Sequence, residues 1–104
     1  MAQTQQNAAL SRSLLNQCDE VSQIFKSLSN PTRLQVLCLI LEKNRTVNEL
    51  TELCDTSQSS MSQLLTRMRT EKIIDSEKVA TRVYYHLAEP KLIKLLKSVK
   101  ELYC

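Results

Sequence analysis

The chain contains no glycine among its 104 residues. Glycine most readily takes a left-handed backbone conformation and allows close approach of the backbone to a phosphate. A chain without it is a poor candidate for a phosphate-binding loop or a dinucleotide-binding fold. The absence predicts a mostly helical chain in which Asn and Asp make the turns. At this length we expect one domain over residues 1–104, with residues 1–6 disordered.

Hydrophobic spacing and capping residues predict five helices and one β-hairpin. The start signals are Asn30-Pro31, the capping box Thr46–Glu49, and Ser57. The predicted elements, in chain order, are helices at about 8–28, 31–41, 47–54 and 57–70, strands at 73–77 and 82–87 joined by 78–81, and a helix from residue 90. This order is typical of a mainly α winged helix-turn-helix domain, with the hairpin as the wing.

Two of these helices carry narrow apolar stripes with spacings of three and four residues. The stripes are Leu14, Cys18, Val21, Phe25 and Leu28 in the first helix and Leu92, Leu96, Val99 and Tyr103 in the last. Such a stripe suits a partner helix. Because a chain of this size buries a modest core, we expect a homodimer through the N- and C-terminal helices. A two-fold dimer would place two recognition helices about 34 Å apart, one turn of DNA.

The helix over residues 57–70 has one apolar and one polar face. Met61, Leu65 and Met68 are predicted to be buried, with part of Leu64. Glutamine can pair with adenine, serine can donate or accept, and a helix N-terminus favours phosphate. The predicted DNA-binding residues are Ser57, Gln58, Ser59, Ser62, Gln63 and Thr66, with Arg67, Lys78 and Arg82 on the phosphate backbone. The net charge of +3, carried by the second half of the chain, agrees with this reading.

Four cysteines leave two interpretations open. Cys38, on an apolar helical face with Leu34, Leu37 and Leu41, could be a small buried hydrophobe, and Cys104 could be a terminal thiol without a role. Alternatively, the two thiols flank the recognition helix as a switch that sulfur transfer would bridge. Packing roles are expected for the remaining pair, interface for Cys18 and core for Cys54. There is no Cys-x-x-Cys motif, which disfavours a zinc ribbon.

Four segments of the chain resemble the ArsR/SmtB family of bacterial repressors. They are Leu28-Ser29-Asn30-Pro31-Thr32-Arg33-Leu34, Val47-Asn48-Glu49-Leu50, Ser57-Gln58-Ser59 through Arg69, and Val83-Tyr84-Tyr85-His86-Leu87. Where metal-sensing members of the family carry cysteine ligands, this chain has Thr46 and Asn48, and its last helix has no histidine. The resemblance therefore implies a repressor that lacks these two metal sites of the family.

The positions of Cys38 and Cys104 are similar to those in the persulfide-sensing branch of the family, the SqrR-, BigR- and HlyU-like regulators. In that branch a disulfide or polysulfide bridge joins the two cysteines and the protein leaves its operator. Leu64 stands where the branch usually has histidine, which bears on the operator sequence more than on DNA binding.

The predicted function is therefore a dithiol-based transcriptional repressor, not an enzyme, that needs no cofactor. Its expected partners are double-stranded operator DNA, a second copy of the chain, and persulfide or polysulfide inducers. The polar N-terminus and the short apolar runs predict a cytoplasmic protein without a membrane segment. Three alternatives stay open: a thiol-ligated metal or metalloid sensor of the same fold, an HlyU-like activator that displaces another DNA-binding protein, and a helical protein-interaction module.

Overall fold

A computed structural model describes the backbone of residues 2–104 and the side chains of residues 11–104. In chain order the elements are α1 Ala2–Leu28, α2 Pro31–Glu42, α3 Val47–Cys54, α4 Gln58–Thr70, β1 Ile74–Val79, β2 Arg82–Leu87 and α5 Pro90–Tyr103. The order confirms the predicted winged helix-turn-helix. Helix α1 begins at Ala2, earlier than predicted. The expected disorder of residues 1–6 includes Met1, which lies outside the described residues, and it stays a prediction.

The helices begin where their capping residues predict. Asn30 accepts hydrogen bonds from two backbone N–H groups of α2 through its side chain, and Pro31 occupies the first turn, where a missing N–H costs nothing. Thr46 and Glu49 form the reciprocal capping box of α3. Ser57 caps α4. These local signals set the ends of the helix-turn-helix pair α3–α4 before any tertiary contact forms.

The turns use left-handed residues in a way that corrects the sequence prediction. Positive φ angles occur at Asp55 (50°), Lys72 (65°) and Ala80 (57°), and only the first is one of the expected residue types. Lys72 takes the position that glycine usually holds after a helix. Its N–H bonds to the carbonyl of Arg69, and that of Ile73 bonds to the carbonyl of Met68. Two backbone bonds therefore offset the strain that a side chain imposes there.

The wing is longer than predicted and its loop is shorter. Pairing runs from Ile74 opposite Leu87 to Val79 opposite Arg82, which leaves a two-residue loop instead of the predicted four. The left-handed Ala80 permits this tight turn. Strand β1 begins at Ile74 and not at residue 73, because the backbone N–H of Ile73 bonds to the carbonyl of Met68 at the end of α4.

Arg45, just before α3, pairs with the second strand of the wing. The backbones of Arg45 and Tyr85 exchange two N–H···O bonds, of 3.2 and 2.7 Å. The guanidinium of Arg45, almost fully buried, also donates to the carbonyl of Leu39 and pairs with Glu42 and Glu49. The sequence did not predict this backbone pairing of Arg45 with Tyr85, which holds the wing beside α3.

The core confirms the predicted inner face of the recognition helix and corrects that of α2. The buried apolar residues are Val36, Leu37, Ile40, Leu50, Met61, Leu65, Met68, Ile73, Ile74, Leu92 and Leu96. Leu37 is buried and Leu34 and Leu41 are half-buried against the core, whereas Cys38 is exposed, so the predicted apolar face of α2 was wrong at Cys38. Helix α2 is apolar nearly all round, so its sequence pattern does not determine which side of the helix is buried. Packing against the neighbouring helices decides it.

The two apolar stripes have different surroundings. Leu92 and Leu96 are buried in the chain's own core, so only the C-terminal part of the α5 stripe is left exposed for a partner. By contrast, Leu14 is 60% exposed, Phe25 is 58% exposed and Tyr103 is 83% exposed. In the part of the chain that the structure describes, no helix is both long and apolar enough to cross a membrane.

Candidate functional site

All nine predicted DNA-binding side chains lie on the surface. Ser62, Gln63, Thr66 and Arg67 line one shallow depression on the outward face of α4, opposite the buried Met61. Three short polar groups and a guanidinium thus share a surface that a DNA groove could cover.

Some hydroxyls on this helix are already engaged. The Ser57 oxygen accepts from the backbone N–H of Ser60 at 3.1 Å, while its own hydroxyl donates to the Ser60 hydroxyl at 2.9 Å. The Thr66 hydroxyl donates to the backbone carbonyl of Ser62 at 2.8 Å. Gln63, in contrast, makes no side-chain hydrogen bond to the described residues, so its amide is available to a base.

The wing places its two predicted phosphate contacts on opposite faces. Lys78 is paired with Val83, whereas Arg82 is paired with Val79, and adjacent pairs of an antiparallel ladder project to opposite sides. Arg82 lines an open groove with Gln58 at the start of α4 and with Asn48 of α3. The structure therefore brings Arg82 to the recognition helix and does not place Lys78 in that groove.

Two polar residues that the sequence analysis left out also border the recognition helix. Thr32, in the first turn of α2, and Thr56, before α4, line a cleft of about 300 Å³ together with Gln63 and Arg67. Nothing in the sequence marks them, because they come together only when α2 packs beside α4.

The two predicted sensor thiols lie on helices that pack together, α2 and α5. Both Cys38 and Cys104 are exposed. Cys104 follows the last turn of α5 and its N–H bonds to the carbonyl of Lys100 at 2.9 Å. Partial burial raises the pKa of the Cys38 thiol, and the charge of Cys104 raises that pKa further. Each of the two packed helices therefore carries or ends at one exposed thiol.

The other two cysteines behave differently. Cys54 is half-buried against the core, as predicted, and burial raises the pKa of its thiol. Cys18 is exposed on α1, so its predicted interface role stays a prediction. Among the described side chains, no three His, Cys, Asp or Glu residues converge in a group suited to a metal ion.

A helix-turn-helix pair with an exposed polar second helix, followed by a docked hairpin, defines a winged helix-turn-helix transcriptional regulator. The family described as bacterial regulatory protein, arsR family, matches residues 30–76, which span α2 through the first residues of β1.

Individual relatives extend the match over most of the chain. The transcriptional activator HlyU of Vibrio cholerae is 32% identical over 78% of this chain and 75% of its own length. The biofilm growth-associated repressor of Agrobacterium fabrum is 32% identical over 82% of this chain and 73% of its own length. The chain belongs to the ArsR family, and like these relatives it is a transcriptional regulator and not an enzyme.

Solved structures agree with this assignment. HlyU from Vibrio vulnificus superposes with a TM-score of 0.83 at 29% identity, over 89% of this chain and 97% of that one. The homodimeric winged helix-turn-helix domain Mb0332 from Mycobacterium bovis gives a TM-score of 0.69 at 25% identity, over 88% and 82%.

Proposed function

We propose that this protein is a dithiol-based repressor that binds operator DNA as a reduced homodimer. It dissociates when persulfides or polysulfides bridge Cys38 and Cys104. The observation that supports the proposal is the packing of α2 against α5, because each of these helices carries or ends at one exposed thiol, Cys38 or Cys104.

The chemistry uses the sulfane sulfur of the inducer as the oxidant. A cysteine thiolate attacks the outer sulfur of a persulfide RSSH, so that a protein persulfide forms and the thiol RSH leaves. The second cysteine then attacks the Sγ atom of the persulfidated cysteine, and hydrosulfide leaves as the disulfide closes. An additional transfer before closure inserts one more sulfur and releases one more RSH. A longer bridge tolerates a wider separation than the disulfide geometry allows.

The bridge would affect DNA binding because it joins a helix of the DNA-binding core to the exposed end of α5. Helix α2 packs on the helix-turn-helix core through Val36, Leu37 and Ile40, while the end of α5 presents exposed Leu102 and Tyr103. A covalent tether between them would change the angle between the two recognition helices of a dimer. Couplings of ~1–3 kcal/mol are usual, which corresponds to roughly 5–150-fold in operator affinity.

Exposed apolar side chains support the homodimer. Leu14 and Phe25 on α1 and Tyr103 on α5 are each more than half exposed in the single chain. Exposed apolar stripes of this kind are typical of surfaces that pair. The homodimeric state of the M. bovis relative is consistent with pairing, and two recognition helices would then meet successive major grooves.

A second output is favoured by one specific observation. HlyU of V. cholerae, named a transcriptional activator, is as similar to this chain as the A. fabrum repressor is. The chain could therefore activate transcription by displacing another DNA-binding protein. A promoter-reporter measurement in cells with and without this protein separates the outputs: repression predicts higher expression in its absence, and activation predicts lower expression.

The experiment that tests the switch compares Cys104→Ser with a matched Cys18→Ser variant. Reduced proteins are exposed in parallel to glutathione persulfide, peroxide and Zn(II), then analysed by intact mass and by duplex-DNA binding. We expect sulfur-step mass gains, a Cys38–Cys104 crosslink and DNA release in wild type and Cys18→Ser, and no release in Cys104→Ser. Release of Cys104→Ser by persulfide would refute the proposal. Zn(II) binding with DNA release would instead favour the metal-sensor alternative.

A further inference from the structure

One ion pair, at the border of the predicted DNA face, joins three helices. Arg33 in the first turns of α2 donates to both carboxylate oxygens of Glu71, at 2.7 and 3.3 Å. Its Nε donates to the carbonyl of Ser27, in the last turn of α1, at 3.2 Å. The Arg33 side chain is 12% exposed and that of Glu71 is 37% exposed, so the pair is shielded more than an ordinary surface salt bridge.

The position of Glu71 is unfavourable unless a cation compensates it. Glu71 caps the C-terminus of α4, where the helix dipole disfavours negative charge. The bidentate guanidinium supplies that compensation with a fixed planar geometry, which lysine could not reproduce. The recognition helix is thus tied at its C-terminal end to α2 and, through the same side chain, to α1.

We propose that Arg33 and Glu71 form a positioning pair that sets the angle of the recognition helix against α2 and α1, and that operator discrimination depends on it. Base contacts need placement to within about 0.5 Å, and core packing alone does not fix the rotation of a helix about its own axis so closely. Glu71 caps the C-terminal end of α4, one turn beyond Arg67, and it lines neither of the two depressions that Gln63 lines. It therefore acts through the orientation of α4 and not by touching bases.

The inference rests on the DNA-binding half of the proposed function and is independent of the thiol chemistry. Arg33 and Cys38 are nevertheless five residues apart on one helix, about 7.5 Å along its axis. A movement imposed on α2 at the thiol would therefore reach Glu71 through a short rigid segment.

The test uses a duplex that wild-type protein enriches from a randomised library, and a scrambled duplex of the same composition. The discrimination ratio is the dissociation constant for the scrambled duplex divided by that for the enriched duplex. It is measured for wild type, Glu71→Gln, Glu71→Asp and Asp75→Asn, with reduced thiols throughout. Asp75→Asn is the matched control, because it removes the same charge from a looser exposed pair with Arg69, at 3.8 Å. A loss of folded protein raises both constants equally and leaves the ratio unchanged.

We expect Glu71→Gln to lower the ratio about 2- to 30-fold, the range seen for residues that couple parts of a protein. Glu71→Asp should keep most of the wild-type ratio because its carboxylate can still pair, and Asp75→Asn should match wild type. Arg33→Lys retains the positive charge but not the planar bidentate geometry of the guanidinium. Its ratio should therefore fall as that of Glu71→Gln does. An unchanged ratio in Glu71→Gln, or an equal loss in Asp75→Asn, overturns the inference. Failure of wild type to enrich any duplex would instead refute DNA recognition, and the positioning role with it.

Discussion

Gln63→Ala is the sharpest test of how α4 reads DNA. Gln63 is exposed, and its side chain makes no hydrogen bond to the part of the chain that the structure describes. Removing its amide therefore leaves no protein group without a partner, and alanine is the better helix former. We expect the stability of the reduced protein to be unchanged or slightly higher, so that any effect on DNA belongs to recognition.

The expected loss follows from one amide per protomer. A bidentate glutamine–adenine contact discriminates by ~1–3 kcal/mol, or roughly 5–150-fold. In a homodimer that reads two half-sites, two distant and independent losses would add to about 2–6 kcal/mol. Binding to scrambled duplex should change little, because phosphate contacts dominate it.

Fluorescence anisotropy with the enriched and scrambled duplexes measures both affinities at several salt concentrations. Gln35→Ala is the matched control, since Gln35 is an exposed glutamine on α2. The salt slope should match wild type in Gln63→Ala, because no phosphate contact is removed. An equal weakening on both duplexes would show that Gln63 reads no base and would refute the reasoning.

Two further predictions concern the Cys38 thiol and α3, the first helix of the helix-turn-helix pair. Burial raises the pKa of Cys38 and the Cys104 charge raises it further, so Cys104→Ser should move the alkylation midpoint of Cys38 to lower pH, with Cys18→Ser as control. Peptide mass spectrometry across a pH series measures this, and an unchanged or higher midpoint contradicts it. Thr46→Ala removes the capping box of α3 and should cost ~1 kcal/mol, or about 4–8 °C in melting temperature, by circular dichroism. Thr51→Ala, inside the same helix, should not lower the melting temperature comparably, and wild-type melting of Thr46→Ala would contradict the prediction.

Local chemistry made the helices and the DNA face predictable. Asn30, Thr46 and Ser57 satisfy backbone N–H groups within a few residues of themselves, so the starts of α2, α3 and α4 needed no tertiary information. The buried Met61 and Leu65 alternate with polar residues at helical spacing, which predicted the inner face of α4.

Other features could not be read from local pattern. Helix α2 is apolar nearly all round, so its sequence could not decide that Val36 and Ile40 would be buried while Cys38 would face outward. The tight wing loop depends on a left-handed Ala80, a residue without a turn preference.

The sequence by itself determined which segments become helices and strands, because capping and periodicity act over a few neighbouring residues. It also predicted which residues of α4 are exposed and polar. Only the tertiary structure decided which elements and side chains from distant parts of the chain lie next to each other. It packed α5 against α2, and it brought Arg82 beside Gln58 and Glu71 onto Arg33, 38 positions away in the chain. Contacts over such separations depend on how the helices pack, and that packing is a property of the whole core and of no single segment.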